Sequence, residues 1–431
     1  MHMINVLIFP SGGENAYEIY DSLKYNLSIN IFGATSKNDY SEMIYEKNKL
    51  FIGKYNIADK NFFSNFNKLL KELSIDVVIP THDTIAEFLA GNRNKLEAKV
   101  LTASAETSSI CRSKIKTMQL FKNEDFCPKF YLNREDKIEK FPLFVKPDKG
   151  QGGQGVFCVK TLKEYLQKMR ENFIACEFLP GKEYTIDCFT DIKGKLRFCG
   201  KRTRENISNG ISIRSRNCKE DKYIKNIAEN INKRLKFIGA WFFQVKEDEE
   251  GQLKLMEVAC RQAGTMMLFR NRGINFALLG IFTLLGKDID IIDNGFDIML
   301  DRRLEAKYKI NIKYDYVYLD YDDTLILDNK VVLDVISFLY YCKNKNKKIF
   351  LISRHNEEHI DTVEESLRSH NIDSRLFEKI IKLKFTESKA NYISEKDAIF
   401  IDNSFKERKE VFEKCGIPVF DVDVVKNLIE I

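Results

Sequence analysis

The residues best suited to chemistry fall into two groups, one before residue 262 and one after residue 310. In the first, Lys146-Pro-Asp-Lys-Gly150-Gln-Gly152-Gly153-Gln-Gly155-Val-Phe157 carries four glycines in six positions. Its backbone amides can close over anionic oxygens without side-chain obstruction. The apolar run Phe141–Val145 brings Lys146 to the end of a strand, and Val156–Val159 resumes an extended pattern. Strand, ammonium, glycine lid and returning strand together predict a clamp for phosphate; a plain structural hairpin is the alternative for the loop alone. In the second group, three apolar runs each end in polar residues. Tyr316–Leu319 leads into Asp320-Tyr-Asp322-Asp-Thr324, Lys348–Ile352 into Ser353, and Ala398–Ile401 into Asp402-Asn403. Three buried strands delivering polar side chains at their carboxyl ends converge in the crevice of an open parallel sheet.

The elements that must position these groups are those of an α/β chain. The 431 residues suffice for two or three domains, each with its own core. With 44% apolar and 31% charged residues the composition is that of a soluble globular protein. No apolar run approaches the ~18 residues of a membrane span, and the first ten residues, Met1–Pro10, read as a buried strand rather than a signal peptide. Ten cysteines lack any paired spacing, so they read as reduced core residues, zinc is not indicated, and a cytoplasmic protein is expected. The net charge of +6 is diffuse; it suits phosphorylated ligands and argues against nucleic acid.

In chain order, Asn5–Phe9, Ile29–Phe32 and Asp76–Pro80 alternate with helical stretches, which predicts a parallel sheet covered on both faces. Ser11-Gly-Gly13 follows the first strand, yet the dinucleotide fingerprint is absent, so NAD is not expected. His82 and Asp83 follow the strand ending at Pro80, either as crevice residues or as a helix cap. A helix carrying Lys114 and Lys116 is expected between Cys111 and Tyr131. The segment Glu177-Phe-Leu179, broken by Pro180-Gly181, can offer backbone groups to an adenine edge, and Glu183 can take ribose hydroxyls. A basic stretch follows, Lys201-Arg-Thr-Arg204 with Arg214 and Arg216. Gln244 and Glu257 alternate with apolar neighbours on two strands and could share a face, where their oxygens suit Mg²⁺.

Lys114, Lys146 with its glycine loop, Glu177–Glu183, Gln244 and Glu257–Arg261 stand in the order and at about the spacing of the ATP-grasp superfamily. The chain most resembles the branch of carbamoyl-phosphate synthetase large subunit and biotin carboxylase, over about Met3 to Arg272. The resemblance implies a parallel α/β domain at 1–108 and a two-lobed α+β ATP-grasp domain at 109–305. It implies ATP held by Lys114, Lys146, Gly152 and Gly153, with adenine at Glu177 and Leu179, ribose at Glu183, Mg²⁺ on Gln244 and Glu257, and Arg261 facing an acyl phosphate. One departure stands out: the family's Glu-Ile-Asn-Pro-Arg is here Glu257-Val-Ala-Cys-Arg261, so Ala259 supplies no oxygen to a second metal ion.

The motif Asp320-x-Asp322-x-Thr324 resembles that of the haloacid dehalogenase superfamily, the likeness running from about Asp315 to Ile431 as a capless, Rossmann-like domain at 314–431. It implies Asp320 as nucleophile, Asp322 as general acid and base, and Ser353 as the second motif. Lys389 is the cationic third motif, with Lys384 as a rival, and Asp320, Asp322 and Asp402 form the Mg²⁺ set. Asn403 replaces a second acid that many members carry, for which Glu407 could compensate. The short gaps between these motifs leave no room for a large cap, so an open site is expected. His355-Asn-Glu-Glu-His359 fits a zinc-peptidase pattern, but its place after the Ser353 strand favours an ordinary surface helix. Together the two resemblances imply a carboxylate–amine ligase working through an acyl phosphate, fused to a Mg²⁺-dependent phosphatase. Its partners would be small carboxylates and amines, possibly phosphorylated. A small-molecule kinase, or a nucleotide-binding scaffold with a silent phosphatase domain, accommodates the same residues.

Overall fold

A computed structural model of the chain describes residues 3–37, 39–150, 154–208, 211–219, 221–303, 305–358 and 361–429. The chain forms two compact units, Met1–Leu304 and Glu305–Ile431. The first unit opens with strands β1 (Ile4–Phe9), β2 (Ile29–Thr35), β3 (Leu50–Ile52), β4 (Val77–Pro80) and β5 (Lys99–Val100). They form an all-parallel sheet in the order β3-β2-β1-β4-β5. Val6, Leu7 and Ile8 are all fully buried, because helices cover both faces and each strand position meets a core. Val6 and Ile8 pack with the helix Glu14–Leu23, whereas Leu7 and Phe9 pack with the helix Phe62–Glu72. The connection reverses direction between β1 and β4, so the crevice outside their carboxyl ends is bordered by Ser11-Gly12-Gly13 and Thr81-His82-Asp83.

Next comes a small antiparallel sheet of β6 (Phe130–Tyr131), β7 (Leu143–Pro147), β8 (Phe157–Val159) and β9 (Phe173–Glu177), in the order β6-β9-β7-β8. A larger antiparallel sheet follows, built from β10 (Glu183–Thr190), β11 (Leu196–Thr203), β14 (Gly239–Glu247) and β15 (Leu253–Ala259), in the order β11-β10-β14-β15. β12 (Glu205–Ser208) pairs antiparallel with β13 (Ile211–Arg216), which in turn pairs with β16 (Met299–Asp301). Strict alternation divides the larger sheet's two faces. Ile186, Cys188, Trp241, Phe243 and Val258 turn into a core beneath the helix Lys222–Arg234. Thr185, Asp187, Arg202, Gln244 and Glu257 share the opposite face, since Arg202, Thr185, Gln244 and Glu257 are successive cross-strand partners. The helix expected between Cys111 and Tyr131 is Lys114–Phe121, and a separate helix, Ala105–Arg112, precedes it. Ser113 parts the two with an extended backbone (φ −108°, ψ 115°), and its hydroxyl accepts from Lys116 N as an N-cap.

The second unit centres on β17 (Tyr316–Leu319). A short hairpin, β18 (Ile326–Leu327) and β19 (Lys330–Val331), turns through Asp328 and Asn329, both at positive φ (48° and 56°). Then come β20 (Lys348–Ser353), β21 (Lys379–Lys382), β22 (Ala398–Ile401) and β23 (Val419–Phe420), completing a parallel sheet in the order β21-β20-β17-β22-β23. The helix Leu333–Asn344 starts directly after the hairpin, so the hairpin is the only sheet structure inserted between β17 and that helix. Among the described residues no helix is long and apolar enough to cross a membrane.

The core of the first unit hinges on Trp241. It is fully buried, its ring stacks on Phe237 at 4.1 Å, and its indole N–H donates to Thr190 Oγ1 at 2.8 Å. Trp241→Ala removes that stack and the N–H that Thr190 Oγ1 accepts. It is expected to cost about 3–5 kcal/mol, read as a lowered urea midpoint at unchanged slope.

Candidate functional sites

In the first unit one aspartate ties together the two segments that carry the predicted lysines. Lys146 lies on β7 opposite Ile174 of β9. Two residues on, Asp148 Oδ1 accepts from Ser113 Oγ (2.7 Å) and Ile115 N (2.8 Å), while its backbone oxygen accepts from Lys114 N (3.2 Å) and Lys114 Nζ (3.4 Å). The strand carrying Lys146 is thereby fixed to the helix whose first residue is Lys114. Asp148 is a site residue that the sequence did not single out. Its only signal was an acid two residues after a lysine, and the helix it caps begins 35 positions away from it, at Ser113. Burial pushes the Lys114 ammonium down; Glu257 pulls it back, and Lys146 and Arg112 push it further. Lys114, Lys146 and Glu257 therefore act on one another electrostatically. The glycine loop is held at its start, with Arg112 donating to Gly150 O at 3.2 Å and Lys149 paired with Glu87 at 2.9 Å. Gly152 and Gly153 lie outside the described residues.

Gln244 and Glu257 stand side by side across β14 and β15, the shared face that their alternation suggested. Among the described residues no group of three His, Cys, Asp or Glu side chains is arranged to hold a metal. Two adjacent oxygen donors nevertheless suit Mg²⁺, which completes its shell with phosphate and water. Ala259, opposite Phe242, lies buried in an apolar cluster with Phe189 and Met266, so packing replaces the missing amide. Arg261 donates to Asp83 Oδ2 at 2.7 Å. Burial by itself would raise the Asp83 carboxyl, but Arg261 holds it below its usual range; burial would lower Arg261, but Asp83 holds it up. The neighbouring His82 is the helix cap, its Nδ1 accepting from Thr84 N. Glu177 ends β9 with its carboxylate accepting from Lys129 N at 2.9 Å, and Leu179 is buried beyond it. Glu183 does not present a free carboxylate, because Arg204 Nε is paired with it at 2.6 Å. The basic stretch is likewise neutralised residue by residue, Lys201 by Asp221, Arg202 by Asp187, Arg214 by Asp301 and Arg216 by Glu205.

In the second unit the three strand ends do converge. Lys389, in the turn Lys389–Tyr392, reaches Asp320 Oδ1 at 2.5 Å and Asp402 Oδ2 at 2.7 Å, and all three side chains are buried. Lys384, the rival cation, is exposed. Burial and the nearby Asp402 carboxylate push Asp320 up to about 7, with Lys389 pulling it back. Burial would lower the Lys389 ammonium, but the two carboxylates hold it above its ordinary value. Thr324 Oγ1 donates to Asp320 Oδ2 at 3.2 Å and accepts from Asn403 N at 3.1 Å, binding the first and last motifs together. Ser353 Oγ donates to Asp322 Oδ2 at 3.2 Å. Two carboxylates meeting at one cation leave oxygen lone pairs for a hard cation, so Asp320 and Asp402 fit Mg²⁺ by donor type. Glu407 is otherwise engaged, paired with Arg354 at 3.2 Å. His355 departs from the expected surface helix: its side chain is buried, and Nδ1 lies 2.7 Å from Asp322 Oδ1. His359 lies outside the described residues.

Residues 169–300 match the family model described as ATP-grasp in the biosynthetic pathway with Ter operon. The chain is similar in structure to N5-carboxyaminoimidazole synthetase from Staphylococcus aureus, solved with ADP (TM-score 0.56, 15% identity, covering 67% of this chain and 79% of that one). It is also similar to the L-amino acid ligase from Bacillus licheniformis (TM-score 0.53, 18% identity, 66% and 75%). A third is the biotin carboxylase domain of 2-oxoglutarate carboxylase from Hydrogenobacter thermophilus, solved with MgADP, ADP and bicarbonate (TM-score 0.53, 13% identity, 68% and 72%). No curated protein matches the sequence. About two thirds of the chain thus shares the fold of these structures, and residues 169–300 match an ATP-grasp family model.

The raised Asp320 carboxyl has a consequence for stability. The native state retains this proton up to about pH 7, whereas an unfolded aspartate loses it near its ordinary value of 3.8. Stability from this group therefore falls as pH rises between those two values. In metal-free protein, the melting midpoint of Asp320→Asn relative to wild type is expected to rise from about pH 4 to pH 7 and level off above. Differential scanning calorimetry across that range checks it.

Proposed function

We propose that the chain is a bifunctional enzyme in which an ATP-dependent carboxylate–amine ligase is joined to a phosphatase. The observation that carries the first half is that Asp148 ties the strand of Lys146 to the helix beginning at Lys114, an ammonium on which Glu257, the cross-strand partner of Gln244, also acts. Two ammonium groups and two oxygen donors suit a nucleotide triphosphate with its magnesium. ATP and Mg²⁺ are accordingly the proposed cofactors, as ADP accompanies two of the similar structures. The α/β domain would occupy 1–108, the ATP-grasp domain 109–305 and the phosphatase domain 314–431.

In the ligase reaction a carboxylate oxygen attacks the γ-phosphorus of ATP, the bond to the β-phosphate oxygen breaks, and ADP leaves. The resulting acyl phosphate is attacked by an amine, which loses a proton as phosphate departs and the amide forms. Lys114 and Lys146 offset the charge of the transferring phosphoryl group, and the glycine loop excludes water that would hydrolyse the acyl phosphate. Arg261, oriented by Asp83, faces the acyl group. The adenine would rest on the segment at Glu177 and Leu179; ribose contact by Glu183 requires it to exchange its Arg204 partner. Magnesium held by Gln244 and Glu257 supplies further charge neutralisation. Small carboxylates and amines are the substrates, and an L-amino acid ligase among the similar structures supports that class.

In the second unit Asp320 is the nucleophile, accepting a phosphoryl group as the ester oxygen leaves with a proton from Asp322. Water then attacks phosphorus, gives its proton to Asp322 and releases Asp320. Lys389 offsets the charge of the approaching phosphate, with Ser353 donating to the transferred oxygens, and magnesium on Asp320 and Asp402 supplies the remaining positive charge. Ten free thiols, several buried, suit a reducing compartment, and a cytoplasmic location is proposed.

Lys146→Ala is expected to lower carboxylate-stimulated ADP release by about 10²-fold or more; an amide product, detected by mass spectrometry, distinguishes ligation from phosphorylation alone. Asp320→Asn is expected to abolish Mg²⁺-dependent hydrolysis of p-nitrophenyl phosphate while leaving ADP release intact. Retention of hydrolysis by that variant rules out the phosphatase assignment.

A further inference from the structure

The buried imidazole of His355 has no part in the reaction steps above, yet it touches Asp322 directly. Its Nδ1 lies 2.7 Å from Asp322 Oδ1. Its backbone N–H donates to Ser353 Oγ at 2.9 Å, and that hydroxyl donates to Asp322 Oδ2 at 3.2 Å. Both oxygens of Asp322 are therefore held, one by the His355 ring and the other through a serine that His355 also positions. The ring itself cannot turn freely. Its Nε2 faces Asp361 Oδ1 at 3.4 Å, and the ring of Tyr321 meets it edge-on at 5.0 Å with an interplanar angle of 80°. Tyr321 is fully buried and anchored by its hydroxyl on Ser366 Oγ at 2.8 Å. His355 is 4% exposed, a degree of burial that a solvated helix face does not impose on a polar ring.

A carboxyl that must give a proton to a leaving oxygen works only when its oxygen points at that atom, because transfer needs hydrogen-bond reach. Asp322 is about one quarter exposed and lies just past the end of β17, where a bridge to Ile326 fixes its backbone and the contacts with His355 and Ser353 hold its carboxyl. We infer that His355 is a positioning residue for the phosphatase reaction, fixing the Asp322 carboxyl so that it can protonate the leaving oxygen of alkyl phosphate esters. This rests on the phosphatase reading above. In the step concerned, the P–O bond to the ester oxygen breaks as the bond from phosphorus to Asp320 forms. The departing oxygen takes the Asp322 proton, leaving Asp322 as carboxylate. An alkoxide needs that proton, whereas p-nitrophenolate leaves without one. His355 thus biases the site toward esters of ordinary alcohols, such as sugar or polyol phosphates, over esters with acidic leaving groups.

The test compares kcat/KM for an alkyl phosphate (glycerol 2-phosphate) and for p-nitrophenyl phosphate, in full-length protein with Mg²⁺. His355→Ala is expected to lose about 10²-fold or more on the alkyl ester and less than about tenfold on the aryl ester, since only the first depends on the proton. His355→Asn, whose amide nitrogen can take the Nδ1 position, should restore the alkyl/aryl ratio to within about tenfold of wild type, whereas His355→Gln, whose amide reaches past it, should not. These two polar variants decide the matter if the alanine variant does not fold. Equal losses on both esters, no loss on either, or identical behaviour of the Asn and Gln variants overturns the inference while leaving the phosphatase reading in place. Wild-type protein without Asp320-dependent hydrolysis of either ester overturns both.

Discussion

A charge taken out of water must be met by an opposite charge or by hydrogen bonds, and in this chain that constraint arranges nearly every polar group at both sites. Lys389 illustrates it most directly. Its buried ammonium joins two carboxylates that arrive from the ends of β17 and β22, and neither would remain ionised there alone. The parallel sheet brings the carboxylates together, and the lysine makes their proximity tolerable. Without the cation the proximity of the two carboxyls favours a proton on at least one of them.

The first unit meets the same constraint with a division of labour. On the polar face of the larger sheet, Asp187 and Arg202 are both fully buried and pair at 2.7 Å, which lets charge sit beside Gln244 without water. Burial raises the Asp187 carboxyl, and Arg202 holds it back. Asp148 handles geometry instead of charge alone, tying the small sheet's β7 to the helix beginning at Lys114. That tie fixes the position of Lys146 relative to Lys114 through hydrogen bonds rather than through an opposing charge.

Much of the architecture was legible because apolar runs and the polar residues ending them are local. The strands at Ile4–Phe9, Tyr316–Leu319, Lys348–Ser353 and Ala398–Ile401 stand within a residue or two of where the hydrophobic pattern placed them. The pattern read less well where side chains settle the matter. Asp148, an acid in no motif, bonds to the cap of the Lys114 helix from 35 positions away. The Lys201–Arg216 stretch reads as basic and is a series of ion pairs, most of whose acids lie outside it, on other strands or loops. Glu407 could be counted as a spare metal acid only until Arg354 was seen to hold it.

What the sequence by itself determined is the inventory and order of chemical groups: a glycine loop after a lysine, an oxygen pair on alternating strands, and three acid-ended strands. Each of these is a property of neighbouring residues and survives without knowing the fold. Only the tertiary structure decided which groups meet, that Asp148 binds Lys114 to the strand of Lys146, that Lys389 rather than Lys384 reaches Asp320, and that His355 is turned inward onto Asp322. Those contacts join residues 33 to 69 positions apart. Their partners are selected by packing and desolvation across strands, forces that act on distance in space and leave no periodic trace along the chain.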